Sequence, residues 1–158
     1  MTGGSATPRA FCVRADNPGP MTLEGTNTWL LQEPGSQTVA VVDPGPDDDN
    51  HWQAVADEVD RRGASIGAIL LTHHHSDHSA GARSFARRAG CQIWAWDPGF
   101  ATTSAQLVDG AVMKVGGCDV QVVASPGHSS DSVCFWIPAD RALLTGDTIL
   151  GRGTTVVA

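Results

Sequence analysis

Short apolar runs broken by proline, glycine and aspartate recur along the chain, and most are of strand length. After a flexible lead-in over residues 1–9, Phe11-Cys12-Val13-Arg14 is expected as an edge strand. Residues 26–31 and 38–42 read as a hairpin around Pro34-Gly35. A helix is predicted from about His51 to Arg62, because Trp52, Val55, Ala56 and Val59 fall on one face before Gly63. Ile69-Leu70-Leu71 reads as a buried strand, followed by a helix over about 79–89 that stops at Gly90, and then a strand over 92–96. Residues 111–115 and 118–123 flank Gly116-Gly117 as a second hairpin. Strands over 132–137 and 141–145 are joined at Pro138-Ala139-Asp140.

The polar residues that interrupt this pattern gather at strand exits. Four of the six histidines lie in Thr72-His73-His74-His75-Ser76-Asp77-His78, directly after an apolar strand. Neither a helix nor a strand can aim His73, His75, Asp77 and His78 at one point, whereas a tight loop can. Imidazole and carboxylate without thiolate suit zinc first, with iron or manganese as alternatives. An interleaved aspartate in mid-chain separates this run from a terminal tag, and His74 points away from its neighbours and is read as a non-ligand. His128, after Pro126-Gly127, and Asp147, after Gly146, are two further polar strand-exit positions. Asp43 ends the 38–42 strand, either as a surface turn former or as a carboxylate that orients the ligand loop.

Other polar groups have plainer readings. Asp47-Asp48-Asp49-Asn50 serves the start of the following helix through its free N–H groups, with Asn50 as cap and His51 facing solvent. Trp94 and Trp96 are core packing before they are a stacking platform, and Arg83, Arg87 and Arg88 are a solvated basic face before they are a phosphate site.

Composition narrows the class. A chain of 158 residues, 41% hydrophobic and 17% charged, is one domain's worth and can bury a core. The net charge of −7 argues against a broad nucleic-acid field. No stretch approaches a membrane span and the first nine residues hold no apolar leader, so a cytoplasmic location is expected. Cys12, Cys91, Cys118 and Cys134 show no paired spacing and read as free thiols in a reducing compartment.

Three motifs in order, T-H-x-H-x-D-H (72–78), S-P-G-H-S (125–129) and L-T-G-D (144–147), resemble the metallo-β-lactamase-fold hydrolases, and Asp43 in V-D-P-G fits the first motif of that family. Gly25-Thr26-Asn27-Thr28, residues 126–131 and residues 146–155 look like the β-lactamase-like protein 2 branch. The resemblance implies an α/β fold, an αββα sandwich of two sheets with helices outside and metals at one edge. It implies that His73, His75 and His128 hold one divalent ion, that Asp77 and His78 hold another, and that Asp147 bridges them. Asp77 is also expected to orient the nucleophile.

Two such ions about 3.5–4 Å apart would bring the pKa of a shared water to about 7, making a hydroxide nucleophile. A dinuclear metal-dependent hydrolase follows, with a phosphodiester or single-stranded RNA substrate favoured by the branch. The alternative is a small-molecule ester or thioester, as in hydroxyacylglutathione hydrolases. The family supplies a further histidine beyond the aspartate motif, and this sequence has none after His128. Residues 10–158 are therefore expected to be the N-terminal part of one such domain, with its second sheet and C-terminal helices incomplete. The first metal site is then expected to be complete in protein ligands and the second to be one ligand short. Apolar surface should be exposed around Phe135, Trp136 and Leu143, with self-association or a complementing C-terminal segment to cover it. The third reading is an inactive fragment that only binds metal.

Overall fold

Every strand expected from the apolar runs is present in a computed structural model, which describes residues 4–102 and 106–157. Strands β1 (Gly4–Ser5), β2 (Ala10–Arg14), β3 (Asn27–Leu31), β4 (Thr38–Val42), β5 (Ser65–Leu70) and β6 (Gln92–Trp94) form one sheet in sequential order. Strands β7 (Val112–Val115), β8 (Cys118–Ala124), β9 (Val133–Ile137) and β10 (Ala142–Leu144) form an antiparallel meander in the order β10-β9-β8-β7. β4, β5 and β6 are parallel. Their crossovers carry helix α1 (Asp49–Arg61) and the pair α2 (Ser76–Ser79) and α3 (Ala82–Ala89).

The side-chain period of two sorts β4 into two cores. Val39 and Val41 pack with Ile69, Ile93, Val55, Val59 and Phe85 between the first sheet and its helices. Ala40 and Val42 pack with Leu70, Val120, Val122, Phe135 and Leu144 between the two sheets. Strands buried on both faces need continuous apolar runs, which is why β4 reads Val39-Ala40-Val41-Val42. Helix, sheet and sheet are thus three layers of the expected sandwich. Among the described residues no helix packs on the far side of the second sheet, where Leu143, Trp136, Gln121 and Val112 align across the strands.

Several expectations need correction. The N-terminal stretch is tied down from Gly4 onward, although residues 1–3 lie outside the described residues: β1 pairs with β2 and takes its edge position. Arg9 pairs with Glu33 at 2.7 Å and its backbone N–H donates to Asp140 at 2.9 Å. Phe135 is not exposed; on β9 it points inward with Val133 and Ile137, while Trp136 points outward and is half-buried. The single helix over 79–89 is two, α2 and α3. Asp48, not Asn50, caps α1, accepting a hydrogen bond from the His51 backbone N–H at 2.8 Å. His51 is buried, and a signal for this was in the sequence: it precedes Val55 and Val59 at intervals of four on the apolar stripe. Trp94 and Trp96 pack against the inter-sheet core, and among the described residues no helix is long and apolar enough to cross a membrane.

Candidate metal centre

Four strand exits meet at one edge of the sandwich. Asp43 follows β4, the 71–75 loop follows β5, His128 lies between β8 and β9, and Asp147 follows β10. The 71–75 loop leads into the short helix α2, which carries Asp77 and His78 where a loop was expected. The two sheets are tied at this edge by the Val133 N–H, which donates to the Thr72 carbonyl at 2.8 Å. Gly146 has φ +49 and lies so close to the β5 exit that an added Cβ would sit 2.5 Å from Thr72 Oγ1. A side chain there would drive the Asp147 segment away from the histidines.

Two groups of side chains converge, each with its ligand-type atoms within 4.8 Å of one another: His73, His75 and His128, and His73, His78 and Asp147. His73 belongs to both, with ring centroids 4.8 Å from His75, 4.9 Å from His128 and 4.3 Å from His78. Asp77 falls outside both groups, but its Oδ2 is 3.6 Å from His78 Nε2, whose distance to Asp147 Oδ1 is 3.3 Å.

The hydrogen bonds fix which ring nitrogens face inward. Thr72 Oγ1 lies 2.7 Å from Asp43 Oδ2, so it donates there and accepts from His73 Nδ1 at 2.9 Å. His73 Nε2 then carries a lone pair, and it is buried with no hydrogen-bond partner among the described residues. Such an atom, among three other imidazoles (His75, His78 and His128) and the Asp147 carboxylate, fits a cation. Asp43 also accepts from the Thr72 N–H at 2.8 Å and from His78 Nδ1 at 2.9 Å. Its buried carboxylate therefore ties Thr72 and His78 together by hydrogen bonds and is not a surface turn former.

Electrostatics agree with the geometry. Burial, aided by the neighbouring His78, lowers the His73 pKa to about 4, which keeps its ring neutral. Burial also lowers His75. Burial opposes the charged form of His78, but the Asp43 carboxylate and the hydrogen bond to Asp147 outweigh it and raise the pKa to about 10. Asp147 is held below the usual carboxylate range by its hydrogen bond to His78, against the desolvation of burial. The arrangement concentrates acceptors and neutral imidazoles where a divalent ion would replace the His78 proton.

Sequence reasoning missed Asp131, which accepts from His74 Nδ1 at 2.7 Å and from Ser129 Oγ at 2.8 Å. It also missed Thr28 and His51 beneath the Asp43 turn. A cleft of about 470 Å³ opens from Asp77, His78 and Asp147 between the 21–27 and 143–152 segments, with Leu23, Trp29 and Leu143 among its apolar walls.

This fold and this histidine–aspartate edge define a metallo-β-lactamase-fold protein. A model of the metallo-β-lactamase superfamily matches residues 21–100 and 102–158, and the chain belongs to that family. It is 36% identical over 156 residues to an atrochrysone carboxyl ACP thioesterase of Aspergillus fumigatus, covering 96% of this chain and 48% of that protein. It is 34% identical over 157 residues to a lactamase-like protein of an Aspergillus species, again covering 96% of this chain and 48% of the relative. The chain thus spans about half the length of the curated relatives it matches. Among solved structures, a metallo-β-lactamase family protein of Thermus thermophilus superposes with a TM-score of 0.81 at 21% identity, over 97% of this chain and 64% of that one. A β-lactamase domain protein of Burkholderia ambifaria gives a TM-score of 0.78 at 22% identity, over 98% and 57%.

Proposed function

We propose that this chain carries the ligand-bearing part of a metal-dependent hydrolase whose substrate is an acyl thioester. The observation that carries the reading is the buried His73 Nε2, without a hydrogen-bond partner among the described residues, at the junction of the two ligand-type groups. His73, His75 and His128 would hold one divalent ion; His78 and Asp77 would hold a second, with Asp147 between them. Zinc suits this nitrogen and oxygen set first, with iron or manganese as alternatives. Bound there, the metal would activate water and draw charge from the substrate carbonyl.

The chain's own side chains do the rest. Asp43 holds the ring orientations of His73, through Thr72, and of His78. Asp77, on the rim of the cleft, would orient the attacking water by hydrogen bonding. The half-apolar cleft offers a wall to an acyl group, and the chain's charge of −7 disfavours a polyphosphate backbone. Relatives named as thioesterases support the thioester over the phosphodiester that the sequence motifs placed first. Coverage of 48% of the first relative supports a second reading, a metal-binding piece that needs a complementing C-terminal segment for turnover.

The test is an assay of chelator-treated protein, with and without that segment, on acyl-pantetheine thioesters, a glutathione thioester and single-stranded RNA. Zinc, iron or manganese is then added back. Metal-restored thioester cleavage is expected; metal-independent cleavage, or cleavage of RNA alone, would reject the reading.

A further inference from the structure

His51 is only 3% exposed, lying under the turn that follows β4, with its ring centroid 6.1 Å from that of Phe85. Its Nε2 is 2.8 Å from Thr28 Oγ1, and that hydroxyl is 2.7 Å from the Asp43 carbonyl. A carbonyl oxygen only accepts, so Thr28 donates to Asp43 and accepts from His51, which places the His51 proton on Nε2. The remaining ring nitrogen, Nδ1, is buried without a hydrogen-bond partner among the described residues. That is a cost in stability that a phenylalanine beside Phe85 would avoid. What the histidine supplies in return is one donor to Thr28.

Thr28 in turn grips a strained turn. Asp43 has φ +52, a conformation unfavourable for a residue with a side chain. Gly45, at φ +80, makes room for the arrangement, since a Cβ there would come within 3.3 Å of the His51 ring. Holding the Asp43 carbonyl fixes the left-handed turn. The turn then aims the carboxylate at the Thr72 N–H, the Thr72 hydroxyl and His78 Nδ1.

We infer that His51 is a positioning residue, acting through Thr28 on the Asp43 backbone and so on the orientation of His78. The inference rests on the proposed metal role of His78, and its readout is metal binding, not turnover.

Cobalt(II) titration of the 158-residue chain, followed by ligand-field absorption, tests it. The binding step to follow is the one that His78→Ala removes. His51→Phe and Thr28→Val should each weaken that step by about 10-fold, the low end of what outer partners of a metal ligand give. The double variant should be no weaker than either single one, because both cut the same chain of bonds. His51→Gln, whose amide can donate from near the Nε2 position, should restore most of the affinity. Unchanged cobalt affinity in Thr28→Val overturns the inference, even if His51→Phe fails to fold or melts early. If the wild-type protein shows no cobalt step at all, the metal reading of His78 falls first and takes the inference with it.

Discussion

His74 Nδ1 and Asp131 Oδ1 stand 2.7 Å apart and join the two loops that present His75 and His128. His75 Nδ1 and His128 Nε2 are themselves 2.8 Å apart, so the middle histidine of the run serves as a strut beside the ligand-type pair. Asp131 is 8% exposed and also accepts from Ser129 Oγ, which anchors the strut in the 125–132 loop. Asp131→Ala is expected to lower zinc affinity at the His73–His75–His128 group by about 10-fold. Competition with a chromophoric chelator measures it, and an unchanged affinity would reduce the pair to a surface contact.

Metal and folding should be linked. Zinc at 100 times its dissociation constant stabilises a protein that binds it only when folded by about 2.7 kcal/mol. The melting temperature should therefore rise with added zinc and fall on chelation, and His73→Ala should remove the response. A melting temperature indifferent to zinc in the wild-type chain would speak against a preorganised centre.

Asp43→Ala removes the acceptor for three buried donors, the Thr72 N–H, the Thr72 hydroxyl and His78 Nδ1. Leaving a buried partner of an ion pair unmatched costs about 3–5 kcal/mol. Urea unfolding should show a loss of that order, and Asp43→Asn, which keeps acceptors on one oxygen, should lose less. A loss below about 1 kcal/mol in the alanine variant would contradict the buried network.

Burial holds the His51 pKa below its ordinary 6.5, with Asp48 opposing weakly. The folded state then takes up this proton less readily than the unfolded chain, so stability rises with pH through this group. His51's contribution is complete above about 6.5 and declines as pH falls toward its lower folded value. The wild-type urea midpoint should drop faster than that of His51→Gln between pH 7 and pH 5 (about two units spanning the ordinary histidine range). Parallel curves would show that the ring is not held neutral by its surroundings.

Phe135 and Leu143 test the assignment of faces on the second sheet. Phe135, at 0% exposure, lies between the sheets, and Leu143, at 41%, lies on the outer face. Phe135→Ala should cost about 3–5 kcal/mol, and Leu143→Ala about 0.5 kcal/mol or less. Equal losses by chemical denaturation would mean that the outer face is also packed.

The strands were legible because burial on a pleated sheet leaves a local trace. Val39-Ala40-Val41-Val42 and Ile69-Leu70-Leu71 are apolar at every position, as strands covered on both faces must be. The hairpin at Gly116-Gly117 was legible for the same local reason, since both glycines take positive φ there. The helix break at Ala80-Gly81 left no such trace. It is set by contacts with a distant turn, where the Gly81 N–H donates to the Gly45 carbonyl at 2.9 Å.

The sequence by itself determined the inventory of histidines and aspartates at strand exits, their order, and the metallo-β-lactamase pattern they make. That information is local, carried by residue type and by spacing to the preceding apolar run. Only the tertiary structure decided which side chains hold the others in place. Asp43 with His78, His74 with Asp131, and His51 with Thr28 are pairs separated by 35, 57 and 23 positions. A hydrogen bond is specified by where two atoms lie in space, and the packing of sheet, helix and loop sets that distance after the chain has closed.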